Sequence, residues 1–123
     1  MFDFTEKQLE ENLDRILNAF GLAKRAGKCT VGTGMCVEEI RKGKAKLVIC
    51  AHDISENTKK RLYDSCKFYN VPILNLPCTK DYLANFFGKT NETSAASICD
   101  DGFLNIIRKI FNETHVKHTE VHE

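Results

Sequence analysis

No apolar run in this chain approaches the roughly 20 residues needed to cross a bilayer, which excludes a membrane-spanning helix. The first residues also lack the charged-then-apolar layout of a signal peptide, so a cytoplasmic chain with no membrane partner is expected. No two of the six cysteines (Cys29, Cys36, Cys50, Cys66, Cys78 and Cys99) stand in a C-x-x-C pair. That spacing argues against a disulfide framework and a structural zinc site, and most of these thiols fall inside apolar segments as small buried hydrophobes. Neither G-x-G-x-x-G nor a Walker loop with its Gly-Lys-Ser/Thr occurs, so no nucleotide cofactor is expected. There is no internal repeat and no linker. The 123 residues, 42% of them apolar, therefore read as one domain over 1–113 with a polar, frayed tail over 114–123.

The net charge is also close to absent, at +1, but the total conceals a segregation. Gly21 to Leu62 holds ten Lys or Arg against four Asp or Glu, and the remainder holds eight against thirteen. A basic segment on an otherwise acidic chain most often meets phosphate.

Apolar spacing gives the elements. Thr5 caps a first helix, with Gln8 closing a capping box, and Leu9, Leu13, Ile16, Leu17 and Phe20 share one face until the helix stops near Gly27. Cys29 to Val31 is a short strand, and Gly32-Thr33-Gly34 opens a helix to about Lys42 with Cys36, Val37 and Ile40 inward. Lys46 to Ala51 is the continuous apolar run of a strand buried on both faces. Ser55 caps a helix whose core stripe is Leu62, Cys66 and Tyr69. A strand over Val71 to Leu76, a helix capped by Thr79 and ending at Gly88, and a polar loop over Asn91 to Ser94 follow. A last strand spans Ala95 to Cys99, and Asp100 or Asp101 leads into a helix carrying Phe103, Ile106, Ile107 and Ile110. Repeated strand–helix units predict an α/β fold, a small mixed but largely parallel sheet with helices on both faces.

The sharpest local signal is Gly32-Thr33-Gly34 at a helix start. Glycines there let a ligand approach the backbone, and the first amides of a helix have no internal partners. On spacing alone a tight turn between strand and helix is the simpler explanation of the motif. Lys24, Arg25, Lys28, Arg41, Lys42, Lys44 and Lys46 flank it, as a phosphate track or as a solvated face. Arg41 and Lys42 sit three turns away, so only some of the seven can share a surface with the turn. Met35, off the apolar stripe, is placed to touch a base or a partner. His52-Asp53 follows a buried strand, where open sheets bind ligands, yet no nucleophile or second carboxylate joins it; a polar loop is the simpler reading. His115, His118 and His122 have helical spacing, but with nothing to order the tail no metal site is expected. Leu76-Pro77-Cys78 is either an apolar loop tip or a buried strand end.

GLAKRAGK, the G-T-G, IRKGKAKLVI, the A-x-D after the strand, SENTKK, YNVP, TKD and DDGF stand together in one order over Asn18 to Ile110. This series resembles the YlxQ-type group of bacterial ribosomal proteins, within the superfamily of ribosomal proteins L seven Ae and L thirty e. The resemblance implies a three-layer α-β-α sandwich and binding to kink-turn RNA, a sharply bent duplex with sheared G·A pairs beside a bulge. It implies a ribosome-associated, non-enzymatic protein without cofactor or metal, whose partners are structured RNA and proteins of the ribosome, translation or transcription. By position it places Gly32, Thr33, Gly34 and Met35, with Glu38 one turn on, against the G·A pairs. It places Leu76, Pro77 and Cys78 over the bulge and matches Lys28 to a lysine in the approach to the helix; Arg41 and Lys42, from their charge, and Asp53 complete the candidate RNA surface. RNA binders of the superfamily carry Asn-Glu where this chain has Gly34-Met35, and lysine where it has Glu38. Gly offers only backbone and Met only a weak sulfur acceptor, so recognition here is expected to rest on shape and phosphate contacts.

Two rival functions follow from the same residues. A protein-interaction module would turn Met35, Glu38 and Glu39 to a protein partner, and an enzyme would use His52 and Asp53 as an acid–base pair.

Overall fold

The computed structural model describes residues 2–89 and 93–120. In chain order the elements are α1 (Glu6–Glu11), α2 (Leu13–Arg25), β1 (Cys29–Val31), α3 (Thr33–Arg41) and β2 (Leu47–Ala51). They continue with α4 (Glu56–Phe68), β3 (Ile73–Leu76), α5 (Lys80–Phe86), β4 (Ala95–Ile98) and α6 (Asp101–Glu120). The four strands form one sheet in the order β1-β4-β2-β3.

The expected sandwich is present. Period-two alternation sends Leu47, Ile49 and Ala51 of β2 to one face and Val48 to the other. Leu47 and Ile49 join a core with Ile16, Leu17 and Phe20 of α2, Leu83 of α5 and Ile107 of α6. Val48 joins Ile40 of α3 and Cys66 of α4. Helix α2 packs on α6 on the first side, and α3 packs on α4 on the second.

The sheet is mixed, as expected, but most of its pairs are antiparallel. Only β2 and β3 run parallel; β4 is antiparallel to both β1 and β2. Strand β4 begins beside the ends of β1 and β2, because Gly32 N donates to Ala95 O and Ala51 N to Ser94 O. It therefore runs against its neighbours.

Three local expectations differ. The predicted first helix is broken at Asn12 (φ −112°, ψ 11°), whose amide donates to Gln8 O and to Thr114 Oγ1 of α6. That side chain satisfies a carbonyl at the end of α1 and ties the break to the last helix. Helix α6 continues past the expected stop near 113, since no Gly or Pro follows Gly102, and Arg15 pairs with Glu113 at 2.7 Å. Tyr69, placed in the core stripe of α4, is 43% exposed. It lies just past the last helical residue, outside the buried line of Leu62 and Cys66. Part of the Asn91–Ser94 loop and His122 lie outside the described residues.

Candidate nucleic-acid interface

Four strand ends meet at one end of the sheet. Gly32 N donates to Ala95 O (2.8 Å), Ala51 N to Ser94 O (2.9 Å) and His52 N to Cys78 O (3.0 Å). Each of β1, β2 and β3 then enters a helix: α3 after Gly32, α4 behind its Ser55 cap, and α5 behind its Thr79 cap. Strand ends and helix starts thus gather the positive ends of three helix dipoles on one rim.

The start of α3 differs from its neighbours. Ser55 and Thr79 accept from Thr58 N and Tyr82 N, whereas Gly32 provides no side-chain cap. The first α3 bond runs from Cys36 N to Gly32 O at 2.9 Å, so the amides before it have no intrahelical acceptor. Gly32 itself has φ 115° and ψ 143°, a region essentially reserved for glycine. A Gly32→Ala variant is expected to lose about 1–3 kcal/mol of stability, read as a lowered urea midpoint at unchanged slope; an unchanged midpoint would mean the turn relaxes freely.

Gly34 is exposed, and a Cβ added there meets nothing within 4 Å. Met35 is 61% exposed and Glu38, one turn on, is exposed as well, so all three face solvent from the outer side of α3. Thr33 is half-buried beside them.

Two expected members are buried. Leu74, Leu76 and Cys78 alternate inward along β3 and its exit; Leu76 has no exposed surface and Cys78 is 6% exposed. Leu76 pairs with Ala51 in the parallel register, and Cys78 O accepts from His52 N, so this segment is a strand end locked to β2. Only Pro77, half-buried, remains for a ligand. Burial first, and then the nearby Asp53 charge, push the Cys78 thiol up to about 11, so it is an inert neutral group there. Asp53 is also engaged: its Oδ1 accepts from Lys80 N at 2.8 Å and supports the start of α5. His52 stands exposed next to it. Among the described residues no group of three or more His, Cys, Asp or Glu could hold a metal.

The basic residues do not form one patch with the glycine turn. Lys28 precedes β1 and Gly32 follows it, a separation of about 13 Å at the rise of a strand. Arg41 and Lys42 close α3, also about 13 Å from its start. Lys46 lies in line with Lys28 across the sheet: Lys46 N donates to Ile98 O and Cys99 N to Lys28 O. Strand β1 is an edge strand, so Lys28 and Gly32 still share one exposed flank. Sequence reasoning missed Ser94, half-buried on the same rim, because a polar loop residue carries no pattern of its own.

Residues 14–108 match the Ribosomal protein L7Ae/L30e/S12e/Gadd45 family. The chain belongs to this family. Among its L7Ae-family relatives, the RNA-binding protein YlxQ of Enterococcus faecium is 38% identical over 94 residues, covering 76% of this chain and 88% of the relative. The RNA-binding protein YlxQ of Bacillus subtilis is 38% identical over 85 residues, covering 69% and 83%. The solved structure of the Giardia lamblia 15.5kD RNA binding protein shares the L7Ae-type fold, with TM-score 0.69 over 93% of each chain at 23% identity. The family match begins inside α2 and ends inside α6, so it contains the whole sheet and the complete rim.

Proposed function

We infer that this L7Ae-family chain is a cytoplasmic, ribosome-associated RNA-binding protein that performs no catalysis and recognises structured, kink-turn-like RNA. The uncapped start of α3 carries the reading: half-buried Gly32 and Thr33 with exposed Gly34 and Met35 on a rim of helix N-termini, in a chain whose relatives are RNA-binding proteins. Free amides and the Thr33 hydroxyl supply donors to phosphate or a base edge. Gly34 lets a backbone come close, and Met35 and Pro77 offer apolar contacts to unstacked bases. Lys28 on the β1 flank holds the strand that passes the sheet edge. Glu38 faces the same way as Met35 and disfavours phosphate directly over it, so the kinked duplex itself meets only the first turn.

The test is an affinity titration against a kink-turn RNA and a control whose G·A pairs are replaced by Watson–Crick pairs, at low and near-physiological salt. Tighter kink-turn binding at both salts supports the reading. Equal binding that vanishes with salt would reduce the chain to a non-specific polycation and favour a protein partner for Met35 and Glu38. In the same assay Lys28→Glu is expected to weaken both RNAs alike and flatten the salt dependence by about one to two units of slope. An unaltered affinity would remove the β1 flank from the surface.

A further inference from the structure

A second exposed feature lies at the far end of α3. Strands β1 and β2 both run antiparallel to β4, so they point the same way, and the helices that return from them, α3 and α4, also run the same way. Their C-termini meet at the end of the molecule opposite the glycine turn. Ile40, Ala45, Val48 and Cys66 pack there with Val71, which joins the loop after α3 to the loop after α4. Both loops are held by the same device: a left-handed residue (Gly43, φ 72°; Asn70, φ 56°) and a bond back into the helix. Lys44 N donates to Glu39 O at 3.0 Å, and Val71 N to Cys66 O at 2.8 Å. Such Schellman-type closures fix the two loops relative to one another.

On this fixed base stand cations and two aromatic rings. Phe68 is 79% exposed, Tyr69 is 43% exposed, and the rings pack edge to face with centroids 4.9 Å apart. Arg41, Lys42, Lys44 and Lys67 surround that end and are all exposed. The acids of the same two helices are fewer or engaged: Asp64 pairs with Lys60 at 3.4 Å, and Glu38 and Glu39 lie a turn back along α3. Rings displayed on an open surface, without enclosing walls, suit stacking on one face; cations around them suit a phosphate chain. A duplex buries its base faces, whereas an unpaired strand presents them.

We propose that the joined C-terminal ends of α3 and α4 bind a single-stranded stretch of RNA, its bases stacking on Phe68 and Tyr69 and its phosphates on Arg41, Lys42, Lys44 and Lys67. The proposal rests on the RNA-binding reading above and extends it: a flank of the RNA held at the start of α3 runs down that helix to this platform.

The experiment compares three RNAs: a blunt kink-turn duplex, the same duplex with a single-stranded extension of about ten nucleotides, and that extension alone. Wild-type protein is expected to bind the extended RNA about tenfold more tightly than the blunt one. Phe68→Ala removes that gain and leaves the blunt affinity within about twofold; Lys44→Glu does the same and reduces the salt slope for the extended RNA only. Both positions are exposed, so neither variant is expected to unfold, and circular dichroism checks this. An extension that adds nothing, or a gain that survives Phe68→Ala, overturns the proposal. Failure of the blunt duplex to bind would sink the kink-turn reading alone; the isolated strand then decides here, since Phe68→Ala must weaken it. Loss in Phe68→Ala of a nuclease-resistant protein complex, with RNA binding intact, would assign the surface to a protein instead and overturn the RNA assignment.

Discussion

The variant Gly34→Asn/Met35→Glu/Glu38→Lys is expected to bind kink-turn RNA on the order of a hundredfold more tightly than wild type while gaining little on a Watson–Crick control. Three observations set the size and selectivity of the effect. A side chain at Gly34 enters open space, and Met35 and Glu38 are exposed on the same side of α3, so the new groups need no repacking. Asn, Glu and Lys exchange directional hydrogen bonds with purine edges, and each well-made bidentate contact discriminates by about 1–3 kcal/mol. Two such contacts account for the hundredfold. The charge change is small, because Glu38→Lys adds two units and Met35→Glu removes one. Non-specific phosphate attraction therefore rises by only about one contact, and the control RNA reports that part alone. Replacing Gly34 by Asn within a helix lifts only a few tenths of a kcal/mol, since Asn is itself a poor helix former, and the folded state is not weakened. Equal gains on both RNAs would show that the first turn of α3 meets phosphate only. No gain on either would place the RNA elsewhere on the protein.

Much of this site was legible in the sequence, and the reasons it was only partly so are specific. The helix start at Gly32 could be read because glycine, an abrupt change of period and the Cys36/Val37/Ile40 stripe coincide within nine residues. The caps Thr5, Ser55 and Thr79 were equally local and all stand where their hydroxyls required. Of the two readings open for Leu76-Pro77-Cys78, the buried strand end is the one found, and the period pointed to it: Leu74, Leu76 and Cys78 alternate, and a strand next to β2 turns that alternation inward. Asp53 read as a polar loop residue supporting the coming helix; it supports a helix start, but that of α5 through Lys80 N, 27 residues ahead, a pairing with no sequence pattern.

The charge segregation was real along the chain but misleading in space. Lys28, Arg41, Lys42 and Lys46 are close in sequence to Gly32, yet β1 and α3 carry them to the other end of the molecule. Direction in the sheet failed for a related reason. Strand–helix alternation implies parallel neighbours, and β1, β2 and β3 do point one way; β4 enters from the opposite side. No short-range pattern distinguishes the two, since a strand such as Ala95–Ile98 is buried on both faces in either direction.

Stability is expected to collapse between neutral pH and pH 10. Cys36, Cys50, Cys66 and Cys78 are all buried. Burial pushes the Cys36 thiol from 9.0 up to about 12, and the other three up to about 11, because a thiolate loses its solvation inside the core. The folded state therefore keeps these protons at a pH where the unfolded chain releases them. A raised folded value means the stabilising contribution is complete below pH 9 and is lost as pH climbs toward 11 and 12. Each thiol removes on the order of 1 kcal/mol per pH unit in that window. Four of them together remove on the order of 5 kcal/mol by pH 10, comparable to the whole stability of a small domain. Urea midpoints at pH 7.5, 9 and 10 check the slope. Cys50→Ala and Cys66→Ala lower the midpoint at pH 7.5 through lost packing, yet each makes the alkaline fall shallower by about one proton's worth. That opposite movement of intercept and slope separates titration from simple weakening of the core. A fall of wild-type steepness in both variants would mean that the thiols ionise as freely in the folded chain as in the unfolded one, and that another group drives the alkaline loss.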